Sequence, residues 1–201
     1  MSFEAPTPPY NSTDPYAAYL NTSCLDLLLI ELVPMAYRIS AELALQEAQY
    51  HPSSKSARRA SASEELREAA YLRLEGLGYR VGLGVAERFS RDRPRVTEPL
   101  DIIKFICKDV WSIIFRKQID NLKTNHRGIF VLTDNNFKPI HRISMEKGRD
   151  GMLAQTQAFL VFPGGIIRGA LAAMGITASV SAESQEIPAA TFQIRTVGAK
   201  A

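Results

Sequence analysis

The side chains able to do chemistry are few in this chain and lie far apart in the sequence. The histidines His51, His126 and His141 do not have the spacing of a zinc site. Acidic groups such as Glu64 and Glu65 have Lys or Arg close by, which is typical of solvated ion pairs rather than of general acid–base catalysis. The residue types and spacings therefore predict no metal, no cofactor and no catalytic residue.

Cys107 is the one candidate nucleophile, with His126 or His141 as a conceivable base. Its neighbours in the sequence are apolar, and such surroundings raise the pKa of a thiol and make it inert. With Cys24 it makes two cysteines, too few for a disulfide framework in a chain of 201 residues. We interpret the chain as a protein of a reducing cytoplasm that is not an enzyme, and keep a Cys107 enzyme as an alternative.

Two runs rich in small residues predict helix contacts. Gly78 and Gly82 share a face of a predicted helix, so a neighbouring helix can approach closely there. No strand precedes them and no Gly-Lys-Ser follows, so a phosphate-binding loop is not predicted. Arg168 and Gly169 lie in GGIIRGALAA, where we expect Arg168 to have a structural role against a partner or a core carboxylate.

The composition excludes several classes of protein. The net charge is +3, and the basic cluster at Lys55, Arg58 and Arg59 lies in a Ser-rich linker, so nucleic-acid binding is not predicted. Ser61 follows these arginines and fits a basic-directed kinase site, which makes its phosphorylation a hypothesis. We see no secretory signal and expect no apolar run of the roughly 18 residues that a membrane span needs.

The pattern of apolar residues predicts helices first and a small sheet afterwards. A helix from Leu25 is apolar almost all round and should kink or break near Pro34. A mostly buried third helix then runs from Pro99 into a hairpin that ends near Phe137, with no array of catalytic groups. The predicted segments are a tail at 1–21, a linker at about 50–63, a second helix at 64–89, strands at 119–124 and 129–133, a loop at 142–150, a short strand or helix start at 158–162, a helix at 164–173, strands at 176–182 and 189–196, and a tail at 198–201.

Four separated motifs resemble one known family, the small subunits of the transport protein particle, TRAPP. The run LEGLGYRVG from Leu74, followed by Glu87-Arg-Phe89, is similar to the second-helix signature of that family. Two further motifs, IIKFICKDVW from Ile102 and LKTNHRG with VLTDNNF from Leu122, are similar to the thirty-three-type subunit of the family. The fourth motif, IIRGAL from Ile166, is similar to the helix that this family places before its last strands. The resemblance spans about Thr22 to Thr196.

The resemblance implies a fold and a function. The fold would be α+β, a single domain at 22–197 with an antiparallel four-stranded sheet and helices packed on one side. The chain would be a scaffold subunit that pairs with another small subunit through its first two helices and meets further subunits in the complex. That complex tethers vesicles in endoplasmic-reticulum-to-Golgi and Golgi traffic, and as a whole it is the nucleotide exchange factor for a Rab-type GTPase. The resemblance also implies that this chain is cytoplasmic and that the complex holds it peripherally at the cis-Golgi and endoplasmic reticulum.

The predicted pairing surface combines the apolar first helix with the stripe on the second. A first helix that is apolar almost all round needs a second surface to cover it, which agrees with the resemblance. One departure concerns lipid, because the region just before the third helix, where a branch of the family carries an acylated cysteine, has none here. A carrier of an acyl chain or small apolar ligand in a buried pocket stays an alternative. The predicted partner-interface residues are Leu25, Leu28, Leu29, Leu32, Leu66, Ala70, Leu74 and Leu77.

Overall fold

The computed structural model describes residues 20–50, 61–91, 93, 94, 96, 98–125, 127–141, 143 and 148–197. Residues 1–19 and 198–201 of the predicted tails, the centre of the predicted linker with His51, His126 and the side chain of Ser61 therefore lie outside the described residues. The elements in chain order are α1 (Thr22–Tyr50), α2 (Ser61–Ser90), α3 (Pro99–Phe105), a π-helical turn (Ile106–Val110), α4 (Trp111–Phe115), β1 (Asn121–Thr124), β2 (Ile129–Asp134), α5 (Lys138–His141), α6 (Gly148–Ala173), β3 (Ala178–Glu183) and β4 (Ala190–Thr196).

The strands of the described residues form one antiparallel sheet in the order β1-β2-β4-β3. Alternation along β2 and β4 points Phe130, Leu132, Phe192 and Ile194 into the core, whereas Val131 on the opposite face is only half-buried. The predicted α+β class with a four-stranded antiparallel sheet is therefore confirmed. All four strands begin and end within two residues of their predicted limits.

Helix α1 runs unbroken through Pro34, so of the predicted kink or break the break is wrong. Proline removes one backbone donor, which leaves the carbonyl of Ile30, four residues earlier, without its helical partner. Both Ile30 and Pro34 are exposed, so water can satisfy that carbonyl. The packing of Leu32, Val33 and Ala36 against α2 and α6 holds the helix on both sides of the proline.

Helix α6 is longer than predicted, because it includes the end of the predicted loop and the segment at 158–162. Of the two alternatives for that segment, helix is correct and strand is wrong. Pro163 and the glycines after it mimic a helix end in the sequence, yet helix continues through them. The stretch Gln155–Ala173 is long and apolar enough to span a membrane, which corrects the expectation that no such run exists. Because 61% of that stretch is buried inside the protein, a core helix accounts for its composition.

The backbones of α2 and α6 touch through glycines on both helices. A Cβ atom at Gly78 would overlap the carbonyl of Phe162, and one at Gly82 would overlap the carbonyl of Ile166. The contact is reciprocal, since a Cβ at Gly165 or Gly169 would overlap the backbone of Glu75 or Tyr79 on α2. Each helix thus supplies a pair of glycines four residues apart to one contact. The structure places α6 where the sequence predicted a close neighbour.

The core beneath α3 and α4 contains a cluster of aromatic rings that pack mostly edge to face. Trp111, Phe115, Phe137 and Phe192 are fully buried, and their ring centroids lie 4.5–5.8 Å apart. In the π-helical turn the carbonyl of Cys107 accepts a hydrogen bond from the backbone of Ile119, at 3.0 Å. The cluster and this bond attach the helical layer to the sheet.

Substitution at the interlocking glycines will separate the helices, while glycines facing solvent will tolerate alanine. We expect Gly82→Ala to lower the free energy of unfolding by about 3 kcal/mol or more, because the methyl group meets rigid backbone. The matched control Gly84→Ala has nothing within 4 Å of its Cβ and should gain up to about 1 kcal/mol from helix propensity. Urea unfolding followed by circular dichroism measures both, and equal stabilities would contradict the interlock.

Candidate partner interface

The eight residues predicted at a partner interface divide into a buried and an accessible set. Four of them, Leu29, Leu32, Ala70 and Leu74, are buried within the chain itself. Leu29 packs in the core cluster of the sheet and α3, and the other three pack where α1, α2 and α6 meet. These four are core residues, so the prediction of a surface that includes them needs correcting: the stripe on α2 is largely occupied by the chain's own α1 and α6. The accessible set is Leu25, Leu28, Leu66 and Leu77, of which Leu28 is exposed and the others half-buried.

One flank of α1 carries a row of accessible apolar side chains. Leu28, Ile39 and Leu43 are exposed and Met35 is half-buried, and at 3.6 residues per turn all four lie near one line along the helix. Buried Leu32 lies on the same line, at the edge of the core. We call Leu28, Met35, Ile39 and Leu43 the α1 seam.

Sequence reasoning assigned only Leu28 of the seam to the interface. The signal for the others was present, because residues 28, 35, 39 and 43 repeat at intervals of seven and four, as apolar positions of one helix face do. What the sequence did not reveal was which of two apolar faces the chain covers itself. That division depends on where α2 and α6 pack.

The polar contacts of α1 with α2 fix the orientation of the seam. Arg73 Nε donates a hydrogen bond to Ser40 Oγ, at 3.0 Å, and Ser40 is buried. On the outward face Arg38 forms an ion pair with Glu31, at 2.5 Å, where both side chains are mostly exposed. A solvated pair of this kind contributes little to stability but marks the face that meets water.

Asp134 is a buried carboxylate that joins the core helices to the sheet. Its Oδ2 accepts a hydrogen bond from Trp111 Nε1 at 2.9 Å, and its Oδ1 accepts from Lys117 Nζ at 2.6 Å and from the Asn136 backbone at 3.0 Å. Among the described residues, no group of three or more His, Cys, Asp and Glu side chains is arranged to hold a metal ion. Asp134 was not among the predicted site residues, and its partners give it a structural role.

Lys117 also donates a hydrogen bond to Asp120 Oδ2, at 2.9 Å. Burial alone would lower the pKa of Lys117, but its hydrogen bonds to Asp134 and Asp120 and their negative charges raise it. The hydrogen bond from Lys117, followed by one from the Asn135 backbone, lowers the pKa of Asp120. The stability contributed by Asp120 is therefore present above its ordinary pKa and is lost as pH falls through the lowered value in the folded protein.

Arg93 closes the start of α3, the region where the resemblance placed an acylated cysteine in a branch of the family. Its guanidinium donates two hydrogen bonds to the Asp109 carboxylate, both at 2.7 Å, and lies 5.3 Å from the centre of the Phe105 ring. The hydrogen bonding to Asp109 raises the pKa of Arg93. An arginine paired in this bidentate way holds the charged turn against the helix.

Arg168 bridges the two interlocked helices. Its Nε lies 2.9 Å from Glu75 Oε1, an ion-pair distance without hydrogen-bond geometry, and its guanidinium carbon lies 4.6 Å from the centre of the Tyr79 ring. Glu75 and Tyr79 are both on α2, so the arginine packs along the edge of the glycine contact. Its carboxylate partner is half-exposed and does not belong to the core.

Cys107 is buried in the π-helical turn, and Cys24 is exposed at the start of α1. Burial raises the pKa of the Cys107 thiol to about 12, against a smaller opposing effect of Lys108. The thiolate needed by a nucleophile or an acyl acceptor is therefore disfavoured at neutral pH.

Removing the buried carboxylate will cost far more than removing a surface one. We expect Asp134→Ala to lower the free energy of unfolding by about 3–5 kcal/mol, because it leaves the Lys117 charge and the Trp111 N–H without their buried partner. The control Asp101→Ala removes an exposed ion pair with Lys104 and should cost less than about 1 kcal/mol. Thermal unfolding followed by circular dichroism gives the comparison, and similar losses in both variants would refute the role of Asp134.

The two thiols will differ strongly in reactivity. In the folded protein at pH 8 we expect iodoacetamide to modify Cys24 and leave Cys107 intact, because Cys107 is buried with a raised pKa. Peptide mass spectrometry should find Cys107 alkylated only after denaturation, with Cys24→Ser as the variant that isolates its signal. Rapid labelling of Cys107 in the folded protein would instead favour an enzyme or an acyl-accepting thiol.

Comparison with known proteins identifies the family. Residues 25–197 match the sequence model of a protein family whose description is transport protein particle (TRAPP) component. The chain is 48% identical to trafficking protein particle complex subunit 6B of Homo sapiens over 122 residues, which cover 61% of this chain and 75% of that protein. It is also 36% identical to an uncharacterized protein of Schizosaccharomyces pombe over 176 residues. Those residues cover 88% of this chain and 64% of that protein.

A solved structure shares the fold. Trafficking protein particle complex subunit 3 from Naegleria fowleri, described as covalently bound to palmitic acid, superimposes with a TM-score of 0.55. The match covers 88% of this chain and 96% of that one at 13% sequence identity, so it supports the fold alone. Because the family match covers most of the sequence, this chain belongs to the transport protein particle (TRAPP) small-subunit family.

Proposed function

We propose that this chain is a structural subunit of a transport protein particle complex and that it pairs with another small subunit through the α1 seam. The observation that carries the proposal is the seam itself: Leu28, Ile39 and Leu43 are exposed, whereas the adjoining face of the same helix is buried in the core. The related subunits named as parts of a trafficking protein particle complex supply the context.

The energetics of association favour a partner with a similar apolar helix. Burying an exposed Leu or Ile side chain contributes about 1.5–3 kcal/mol, whereas association costs about 4–15 kcal/mol in lost freedom of motion. The seam supplies only a few such side chains, with half-buried Leu66 and Leu77 of α2 as further contributors. A partner must therefore bring apolar side chains of its own, as another member of the same fold would.

The role proposed within the complex is that of a scaffold. The charged groups with the best-defined contacts, Asp134 with Lys117 and Arg93 with Asp109, join elements of the chain to one another. We accordingly propose that nucleotide exchange on a Rab-type GTPase belongs to the assembled complex and that this subunit supports it by position. We further propose that the complex tethers vesicles in endoplasmic-reticulum-to-Golgi and Golgi traffic. The chain would then be located peripherally on those membranes through the complex.

A charge on the seam will prevent pairing without unfolding the chain. We expect Leu28→Asp, at a side chain that is 57% exposed, to weaken association with the partner subunit by at least about tenfold, because the charge would be buried. Co-expression with the small subunits of the same complex, followed by size-exclusion chromatography with light scattering, measures pairing. In the reconstituted complex the same change should reduce nucleotide exchange.

The matched control is Leu72→Asp on α2, at a side chain that is exposed beside β3 and away from the seam. It should leave pairing unchanged. Leu32→Asp is unsuitable as a probe, since Leu32 is 4% exposed and its loss would unfold the chain. Normal pairing by Leu28→Asp, or a wild-type chain that stays a folded monomer with every small subunit offered, would count against the proposal.

A further inference from the structure

The outer edge of β3 is a strand edge that no other strand of the described residues pairs with. β3 lies at the end of the strand order and pairs with β4 through six consecutive residue pairs, without a bulge. It contains no proline or lysine, the residues that commonly protect an edge against further pairing. The opposite edge, β1, is shorter and contains Lys123. β3 is therefore the edge that is open to an added strand.

The pairing of β3 with β4 fixes which backbone groups point outward. The N–H of Val197 donates a hydrogen bond to the carbonyl of Thr177, at 2.9 Å. In an antiparallel pair such bonded positions recur at every second residue, so the residues between them direct their N–H and C=O groups to the other side. The outward residues of β3 are therefore Ala178, Val180 and Ala182.

A contact with α6 supports this assignment. The carbonyl of Ala182 accepts a hydrogen bond from Gln157 Nε2, at 2.7 Å, so it points away from β4. The N–H and the carbonyl of Val180 and the N–H of Ala182 have no hydrogen-bond partner within the part of the chain that the structure describes. An added strand would supply a partner to each of these groups.

The free edge of β3 lines a groove of about 470 Å³. Helix α6 packs against both α2 and β3, so it forms the floor, where Leu160 and Val161 lie beside Gly164 and Gly165. The edge of β3 forms one wall and α2 forms the other. A groove with a wall on each side admits a single extended chain, whereas the edge of a second sheet with its own helices would meet α2.

The α2 wall of the groove is acidic. Glu68 and Glu75 are part of it, and Glu183 is exposed at the end of β3. Glu75 is paired with Arg168 at 2.9 Å, whereas Glu68 has no ion pair with any described residue. Charge complementarity therefore favours a segment that carries lysine or arginine.

We propose that an extended, basic segment of another protein binds in this groove as an added strand on the edge of β3. Its backbone forms hydrogen bonds with Val180 and Ala182, which is the β-augmentation mode of peptide recognition. Its apolar side chains cover the floor at Leu160 and Val161, and a lysine or arginine side chain lies beside Glu68. The backbone bonds supply affinity, and the acidic wall supplies specificity.

The site suits a partner that joins the complex transiently. One short strand covers far less than the total of about 1,200–2,000 Å² that specific, stable interfaces bury. The groove lies on the side of α2 away from the α1 seam, so pairing through the seam leaves it open, with Leu72 still exposed at its rim. The proposal does not depend on the identity of the partner subunit.

Peptide binding to the full-length chain tests the proposal. The probe is a fluorescent heptapeptide in which valine alternates with lysine, and fluorescence anisotropy measures its affinity. We expect saturable binding at one site, with the largest amide shifts in NMR spectra of the isotope-labelled chain at Val180 and Ala182. The same peptide with glutamate in place of lysine should bind at least about tenfold more weakly, because the wall is acidic.

Backbone methylation of the probe separates strand addition from other modes of binding. The N–H groups of an extended segment point alternately to its two sides, and only one set can face β3. Of two probes, N-methylated at the valines or at the lysines, one should lose binding and the other should retain it. Loss in both probes, loss in neither, or amide shifts centred elsewhere would overturn the proposal.

A charge reversal on the wall gives the matched comparison within the chain. Glu68→Lys should weaken binding of the lysine peptide by at least about tenfold and strengthen binding of the glutamate peptide, with unchanged circular dichroism because Glu68 is exposed. The control Glu87→Lys, at an exposed position of α2 outside the groove, should leave both affinities unchanged.

A seam variant separates this site from the proposed pairing. Leu28→Asp should bind the probe as the wild type does, so failure at the seam and failure at the groove are distinct results. An absence of saturable binding, equal affinity for the lysine and glutamate peptides, or no effect of Glu68→Lys would each contradict an added strand on β3.

Discussion

The direct contact between the backbones of α2 and α6 is the constraint on which the rest of the structure depends. Glycines on both helices remove the side chains that would otherwise separate them, so each helix meets the other's carbonyl groups. At that separation α6 also packs against β3, and α2 receives α1 on another face. Arg168 covers the edge of the contact through Glu75 and Tyr79 of α2.

The division of the first helix into core and surface follows from this arrangement. With α2 committed to α6, α1 can bury only the face that contains Leu29, Leu32, Val33 and Ala36. Its remaining apolar side chains stay accessible, on the seam and on the opposite flank with Leu27 and Ile30. An apolar excess of this kind is typical of a protein that functions through contacts with other chains, and it supports a structural role within a transport protein particle complex.

The sequence predicted the class of fold and the order of its long helices and strands, because apolar periodicity is strong in them, although the short helix α5 was not predicted. It failed where tertiary contacts override local signals: Pro34 and Pro163 lie within continuous helices, since packing on both sides outweighs one missing hydrogen bond. It could not separate the buried and accessible apolar faces of α1, because exposed Leu28 and buried Val33 are both apolar and differ only once α2 and α6 are in place. Asp134 escaped notice because its partners Trp111 and Lys117 are remote in the sequence.

The claim that α1 presents a partner surface is tested most directly by side-chain footprinting. Hydroxyl radicals would be applied to the free chain and to the native assembled complex, and oxidation of Leu28, Ile39 and Leu43 compared by mass spectrometry, with Leu72 as the reference on the far side of α2. The account predicts strong protection of the three seam residues in the complex and unchanged oxidation of Leu72. Equal oxidation of the seam in both states would contradict it.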